Sequence, residues 1–340
     1  MPEMRSSNGH PPKTLTSAAA EIALGRQLVP FTELMIEYAA RDPRVCYVGV
    51  DTMDVEFRDR FPERAFDVGI AEQNQLGVAT GLAKAGMIPV LQAWSPFTPI
   101  RNFDQLRTSL ARHNSNVKII TTALGLINCS HGTTHHDLES VALYRIVPNL
   151  IVLAPFDAQQ FEIAFRAAMQ HVGPVILLGP PEIYAPGSDG AEDLPFSHAA
   201  PFWIGGSETL LRGSDIAIFS FGPALRYCWS AAQSLAVQEI SASLINLYSL
   251  KPFDADAVRR AARETGRVLC VEEQLLSGGM GSAIGTLLAE EGLMCRFQRL
   301  GIPDRFVEEL GNWTETREGI GLTGANVAAA AKKLVGEARQ

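Results

Sequence analysis

The sequence has no run of about 18 uninterrupted apolar residues, the least that a membrane-spanning helix requires, so no membrane partner is expected. It has no CxxC pair. Its five cysteines, Cys46, Cys129, Cys228, Cys270 and Cys295, are widely spaced and odd in number. That excludes a disulfide framework and reads as free thiols, small buried hydrophobes in a reducing compartment. Positive charge is scarce: 29 Lys+Arg against 37 Asp+Glu leave a formal net charge of −8. A phosphate footprint needs a basic face, so nucleic acid is excluded as the main partner. The first residues, MPEMRSSNGHPPK, carry Pro, Asn, Gly and charge rather than an apolar targeting segment, and the expected compartment is the cytoplasm.

What is present is the balance of a folded protein. Hydrophobic residues make up 46% and charged residues 19%, against extended disorder. At roughly 150 residues per domain, 340 residues suggest about two domains. Short apolar, β-branched runs recur at 45–50 (VCYVGV), 65–70, 87–91, 117–122 (VKIITT), 150–154 (LIVLA) and 175–178. Helical periodicity lies between them at 72–85, 137–146 and 158–169. Strands alternating with helices imply parallel βαβ units, and near-continuous apolar strands fit burial on both faces. From 180 the composition shifts to Pro, Gly and acids (PPEIYAPGSDGAEDLP), which reads as a linker. A second series follows, with strands at 215–220, 243–247, 268–271 and 296–300 and helices at 223–235, 280–291 and 323–335, the last capped by Thr323. The fold class is α/β, two tandem doubly wound domains: a flexible lead-in over 1–25, a first domain over 26–185, a linker over 186–208 and a second domain over 209–340.

In such sheets ligands bind beyond the carboxyl ends of strands, and three segments fall there. In 66–81 (FDVGIAEQNQLGVATG) a strand turns into a helix that begins near Glu72. The simpler reading of Glu72 is an acid complementing a helix N-terminus. The sharper one is a carboxyl in a dry cleft, sharing its proton with a ligand nitrogen rather than with water. In 93–107 (AWSPFTPIRNFDQLR), Trp94, Phe97 and Phe103 cluster near a strand end. They form either core or an aromatic-lined pocket. In 125–137 (GLINCSHGTTHHD), His131, His135 and His136 lie close together. His131 and His135 stand at a spacing that binds metal on a helix, but Gly132 and the threonines argue for a loop. Surface histidines are the simpler reading, and imidazoles at a reacting carbonyl or hydroxyl the alternative. The glycines of SGGMGS (277–282) precede a helix. They lack both the GxGxxG spacing and a Walker lysine, so an anion site there is a weak reading.

Taken together, these segments resemble one family. VGIAEQN with the GVATGLAKAG helix resembles the pyrimidine-binding domain of transketolases, as do WSPFTPIRNFDQLR and HGTTHHDLESVALYRIVPNLIVLAPFDA. SLINLYSLKPFD, VEEQLLSGGMGSA and GLTGANVAAAAKKL resemble the transketolase C-terminal domain. The resemblance covers about residues 30 to 336. It implies thiamin diphosphate as cofactor, bound between chains or domains. Glu72 is implied to hydrogen-bond the cofactor's aminopyrimidine nitrogen and so promote loss of the thiazolium proton. Trp94 and Phe97, with Phe103 nearby, are implied to form an apolar box around the pyrimidine that excludes water. Asp51, at a strand end, is a further pocket residue. His135 is implied to contact donor or acceptor oxygens, with His131 beside it in the substrate site.

The family holds the diphosphate and its Mg²⁺ or Ca²⁺ with a GDG motif and a downstream Asn, and no GDG occurs here. The metal, for which this chain offers no ligand, is therefore expected to bind through a companion subunit carrying the diphosphate-binding domain. The chain resembles the C-terminal-section subunit of a split transketolase, an α2β2 heterotetramer with self-association. The expected activity is transfer of a two-carbon ketol unit between a ketose donor and an aldose acceptor. Three departures stand out. His131 replaces the family's frequent Asp, Gly179–Pro180–Pro181 stand where relatives often carry a sugar-phosphate Arg, and Gln274 sits where some have His. Loss of a bidentate donor points to an atypical sugar. The alternatives are a β-subunit of a 2-oxo-acid dehydrogenase or decarboxylase, a deoxyxylulose-phosphate-synthase-like enzyme, and a non-catalytic regulatory or scaffolding subunit.

Overall fold

A computed structural model describes residues 31–50, 54–180, 201–309 and 311–336. The lead-in, Asp51 and most of the 186–208 stretch fall outside these residues. The first unit runs α1 (Phe31–Arg41), β1 (Val45–Gly49), α2 (Val55–Arg60), β2 (Ala65–Asp67), α3 (Glu72–Lys84), β3 (Ile88–Trp94), α4 (Phe97–Ile100), β4 (Lys118–Thr122), α5 (Ser140–Ile146), β5 (Ile151–Leu153), α6 (Ala158–Gln170) and β6 (Val175–Gly179). A π-helical segment, Gln105–Ala111, precedes β4. The second unit runs β7 (Glu208–Leu211), β8 (Ile216–Ser220), α7 (Ala224–Ala236), β9 (Ala242–Asn246), β10 (Ser249–Lys251), α8 (Ala255–Thr265), β11 (Arg267–Leu275), α9 (Met280–Glu290), β12 (Arg296–Ile302), α10 (Trp313–Ile320) and α11 (Gly324–Gly336).

Strand pairing gives two sheets, ordered β10-β5-β6-β4-β3-β1-β2 and β12-β11-β8-β9-β7. All pairs are parallel except β10 with β5 and β7 with β9. Alternate residues of each strand face opposite helix layers. Tyr47, Val90, Ile120 and Leu177 pack under α1 and α6, while Val48, Leu91, Ile119 and Ile176 pack under α3, the π-helical segment and α5. The second sheet repeats this, with α7 and α11 on one face and α8 and α9 on the other. The layer under α3 and α5 is continuous with the layer under α8 and α9, so one hydrophobic cluster runs through both units. No helix among the described residues is long and apolar enough to cross a membrane.

Local sequence explains several of these elements. Asp157 caps α6 by accepting from Gln160 N at 2.7 Å. The helix then lays Phe161 and Phe165 edge-on against Phe31 of α1, at 6.2 and 5.8 Å between centroids. Arg166 completes that contact with a bidentate pair to Glu37 at 2.9 and 3.0 Å. Asp254 caps α8 and Gly266, at φ +63°, ends it.

β10 was not expected from sequence. It leaves the second unit and adds to the edge of the first sheet beside β5, with Ser249 opposite Leu153. Ala154 N donates to Tyr248 O at 2.7 Å just ahead of it. The Lys251 ammonium then donates to the carbonyls of Arg145 and Val147 at the end of α5.

Lys118 opens β4 fully buried, at the strand end opposite the site described below. Desolvation pulls its pKa down to about 7. Its ammonium donates to Asn116 Oδ1, His171 O and Gly173 O at 2.7, 2.7 and 2.8 Å. Lys118→Met removes this donor from the His171 and Gly173 carbonyls and leaves Asn116 Oδ1 only Gly173 N, at 3.3 Å. It is expected to lower stability by about 1–3 kcal/mol, read as a lower denaturation midpoint.

Candidate active site

β2, β3 and β4 deliver three chain segments to one sheet end. After β2, Gly69 turns at φ +66°, its N–H bonded to Asp67 Oδ1 at 2.9 Å. The turn starts α3 at Glu72 with no side-chain cap, leaving that carboxylate in the first turn. Gln75, one turn on, donates from Nε2 to Val48 O and Gln92 O at 2.7 and 2.9 Å, pinning the helix start to β1 and β3. Glu72 is only 4% exposed. Its Oε1 accepts from Arg101 Nη1 at 2.7 Å, and the Arg101 guanidinium lies 3.8 Å over the Phe97 ring.

Trp94 ends β3, and Phe97 follows on the one-turn helix α4. Asn102 Nδ2 donates to Thr98 Oγ1 at 3.0 Å, and Tyr144 OH donates to Thr98 O at 2.5 Å, which fixes this loop to α5. Phe103 turns away and packs against the hydrophobic core.

After β4 the chain makes a loop whose neck is an isolated bridge between Gly125 and Asp137. Gly132, at φ +77°, splits it into two 3₁₀ turns, Cys129–His131 and Thr133–His135. His131 and His135 therefore do not share an α-helix as a helical metal pair would. Among the described residues no group of three metal-ligating side chains is gathered. The two rings lie 5.1 Å apart and each meets Trp94 edge-on at 5.9 Å. His135 also meets Phe97 at 5.2 Å. His136 turns inward, buried, with Nε2 3.4 Å from Cys129 O. Partial burial, with His131 and Arg101 close by, lowers the His135 pKa, which favours the neutral ring.

The structure thus brings Glu72, Trp94, Phe97, His131 and His135 together and leaves Phe103 outside. Arg101 and Gln75 were not singled out from sequence, because their roles depend on partners distant along the chain. A third such residue is Asp137. Burial pushes its carboxyl up to about 7, with Ser95 and Ser140 alongside. Chemically, the site offers a shielded carboxylate oriented by a guanidinium, an aromatic wall and two imidazoles. That set can hold a flat heteroaromatic ring and contact carbonyl or hydroxyl oxygens.

The site lies at one sheet end of an α/β chain, and the chain's relatives place it in a family. Residues 30–186 match the family model described as Transketolase, pyrimidine binding domain, and residues 205–327 match Transketolase, C-terminal domain. The chain is 34% identical over 310 residues to the 6-deoxy-6-sulfo-D-fructose transketolase subunit SqwH of Clostridium sp. (strain MSTE9), covering 89% of this chain and 92% of that protein. It is 38% identical over 310 residues to a 1-deoxy-D-xylulose-5-phosphate synthase of Symbiobacterium thermophilum, covering 90% of this chain and 46% of that one. A solved structure described as a split gene transketolase, inactive beta4 tetramer, superposes with a TM-score of 0.75 at 30% identity, covering 94% of this chain and 99% of that chain. The chain belongs to the transketolase family. It spans about half the length of the synthases it matches.

Proposed function

We propose that this chain is one subunit of a thiamin-diphosphate-dependent transferase that moves a two-carbon ketol unit between a ketose donor and an aldose acceptor. The observation that carries the proposal is Glu72, a nearly buried carboxylate bonded to Arg101 at the edge of an aromatic wall whose far side holds His131 and His135. A shielded carboxylate beside flat rings suits an aminopyrimidine. The sequence carries no GDG motif, and the sulfofructose transketolase relative is itself named as a subunit. We therefore assign the diphosphate and its Mg²⁺ or Ca²⁺ to a companion subunit, in an α2β2 assembly. Residues 26–185 would be the pyrimidine-binding domain and 209–340 the C-terminal domain, joined by 186–208.

Thiamin diphosphate supplies, when bound, a carbon nucleophile that adds to carbonyl groups. The Glu72 carboxylate, oriented by Arg101, would accept a hydrogen bond from the cofactor's ring nitrogen. Trp94 and Phe97 keep water from the reacting carbon. Neutral His135, with His131, donates or accepts hydrogen bonds at the sugar oxygens. Ile70 and Ile100, which flank Glu72 and Arg101 in sequence, are 70% and 49% exposed. Phe306, next to the Val307 carbonyl that receives the Thr133 hydroxyl, is 69% exposed. Exposed apolar side chains close in sequence to site residues are what a companion subunit would cover.

Strand β6 ends at Gly179 and Pro180 follows, where the family often carries a sugar-phosphate Arg. His131 stands in the histidine loop where the family often has Asp. We therefore propose an atypical sugar or sugar derivative as substrate, and the likeness to a sulfofructose transketolase subunit supports this. The test is co-purification with the companion chain and a panel of ketose donors, with and without thiamin diphosphate. The expected result is cofactor-dependent transfer in which xylulose 5-phosphate is a poor donor. Efficient use of xylulose 5-phosphate would overturn the substrate proposal, and turnover indifferent to thiamin diphosphate the whole reading. The 38% identity to a deoxyxylulose-phosphate synthase favours a second reading, which adding pyruvate with an aldose acceptor to the same panel separates.

A further inference from the structure

We propose that Glu273 and Gln274, consecutive residues of β11 in the second unit, are positioning residues that set the histidine loop against Trp94. The inference rests on the reading of His131 and His135 as substrate-contacting residues. The loop's neck is closed within the first unit by Gly125 N to Asp137 O at 3.1 Å and Asp137 N to Gly125 O at 2.9 Å. Each side of that neck is gripped from across the domain boundary. On the entering side, Glu273 Oε2 accepts from Leu126 N at 3.2 Å and from Trp313 Nε1 at 3.4 Å. On the leaving side, Gln274 Nε2 donates to Asp137 O, and Gln274 Oε1 accepts from Val141 N at 3.2 Å. The next residue continues the grip, with Leu275 N donating to Leu138 O at 2.9 Å.

The same unit also touches the loop's interior. Thr133 Oγ1 donates to Val307 O at 2.9 Å and Cys129 Sγ to Gly311 O at 3.3 Å. Fit at the neck is tight: Gly125 stands at φ +71°, and a Cβ there would lie 2.6 Å from Glu273 Oε2. Glu273 and Gln274 fall where the register of β11 against β12 shifts, between Val271 and Leu275, and from there they hold the two sides of one neck. Glu273 is fully buried with Arg317 Nε 3.9 Å from its Oε1. Burial raises its carboxyl pKa despite that guanidinium, while its other oxygen is shared by Trp313 and the loop.

The test uses the full-length chain and needs neither cofactor, companion nor turnover, so it stands or falls apart from the ketol-transfer reading. Histidine ring resonances are followed by NMR through a pH titration in the parent, in Gln274→Ala and in Lys118→Met. Gln274→Ala is expected to displace the His131 and His135 signals and to make His135 titrate at higher pH, because the loop no longer holds it between His131, Arg101 and Trp94. Lys118→Met, which is destabilised at the opposite end of the sheet, should move neither. If Gln274→Ala does not fold, Gln274→Met, which keeps the volume and removes the bonds to Asp137 O and Val141 N, carries the same expectation. Unchanged His131 and His135 signals in the Gln274 variant, or equal displacement by Lys118→Met, would overturn the proposal.

Discussion

Glu72→Gln is expected to lower the turnover of the assembled enzyme by about 10²- to 10⁴-fold, the range for loss of a positioned proton-transferring group. The chain should still fold. Gln keeps the shape and can still accept from Arg101, and the start of α3 is held by Gln75 rather than by a Glu72 cap. The charge interaction removed involves a half-exposed arginine, and such pairs contribute little to stability. What Gln cannot do is share a carboxyl proton with a ring nitrogen. The measurement is kcat of the complex at saturating thiamin diphosphate, with the thermal midpoint of the isolated chain as control. Unchanged kcat would leave the chain as a scaffolding or regulatory subunit that keeps the fold without taking part in turnover.

His135→Ala should cost about 10²-fold in kcat/KM, the lower end for an acid–base or hydrogen-bonding imidazole, and should also change the pH profile. In the parent chain the His135 pKa lies below its ordinary value of 6.5, through desolvation and then the charges of His131 and Arg101. A lowered histidine pKa means the ring is neutral above it and gains a proton only on the acid side. If the neutral ring is the working form, kcat/KM falls toward acid with a limb below pH 6.5 and is flat through neutrality. Removing the ring should remove that limb along with most of the rate. A limb that persists unchanged in His135→Ala would assign it to another group and take His135 out of the reaction.

The strands that were plainest in sequence are those buried on both faces. VCYVGV, VKIITT and DIAIFS read as continuous apolar runs because helices cover them on either side. β10 was illegible for the opposite reason. Three residues, Ser249–Lys251, followed by a proline carry no periodicity, and they are a strand only because β5 offers an open edge. α8, ADAVRRAARET, is mostly polar and went unassigned, although Val258, Ala261 and Ala262 line one buried face. At the site, residue types flagged Glu72, Trp94, Phe97 and the histidines. Phe103 shares their aromatic character, but α4 and the turn after it carry its ring into the core. Arg101 looked like any surface arginine until folding brought it to a carboxylate 29 positions earlier. Gln274 stood out only as a departure from the family's His, and its positioning role was invisible because its partners are backbone groups.

The crossing of β10 into the first sheet also bears on how the chain is made. Synthesis runs from the N-terminus, and domains ordinarily fold as they emerge. Here the strand that covers β5 begins at Ser249, while β6 ends at Gly179. Until Lys251 has left the ribosome, the first unit must wait with an open row of amides and carbonyls along β5, the kind of edge that recruits strands from other chains. The nascent polypeptide is therefore most exposed to mispairing during the interval in which the second unit is being translated, when the site residues have already been made but their sheet is not yet closed.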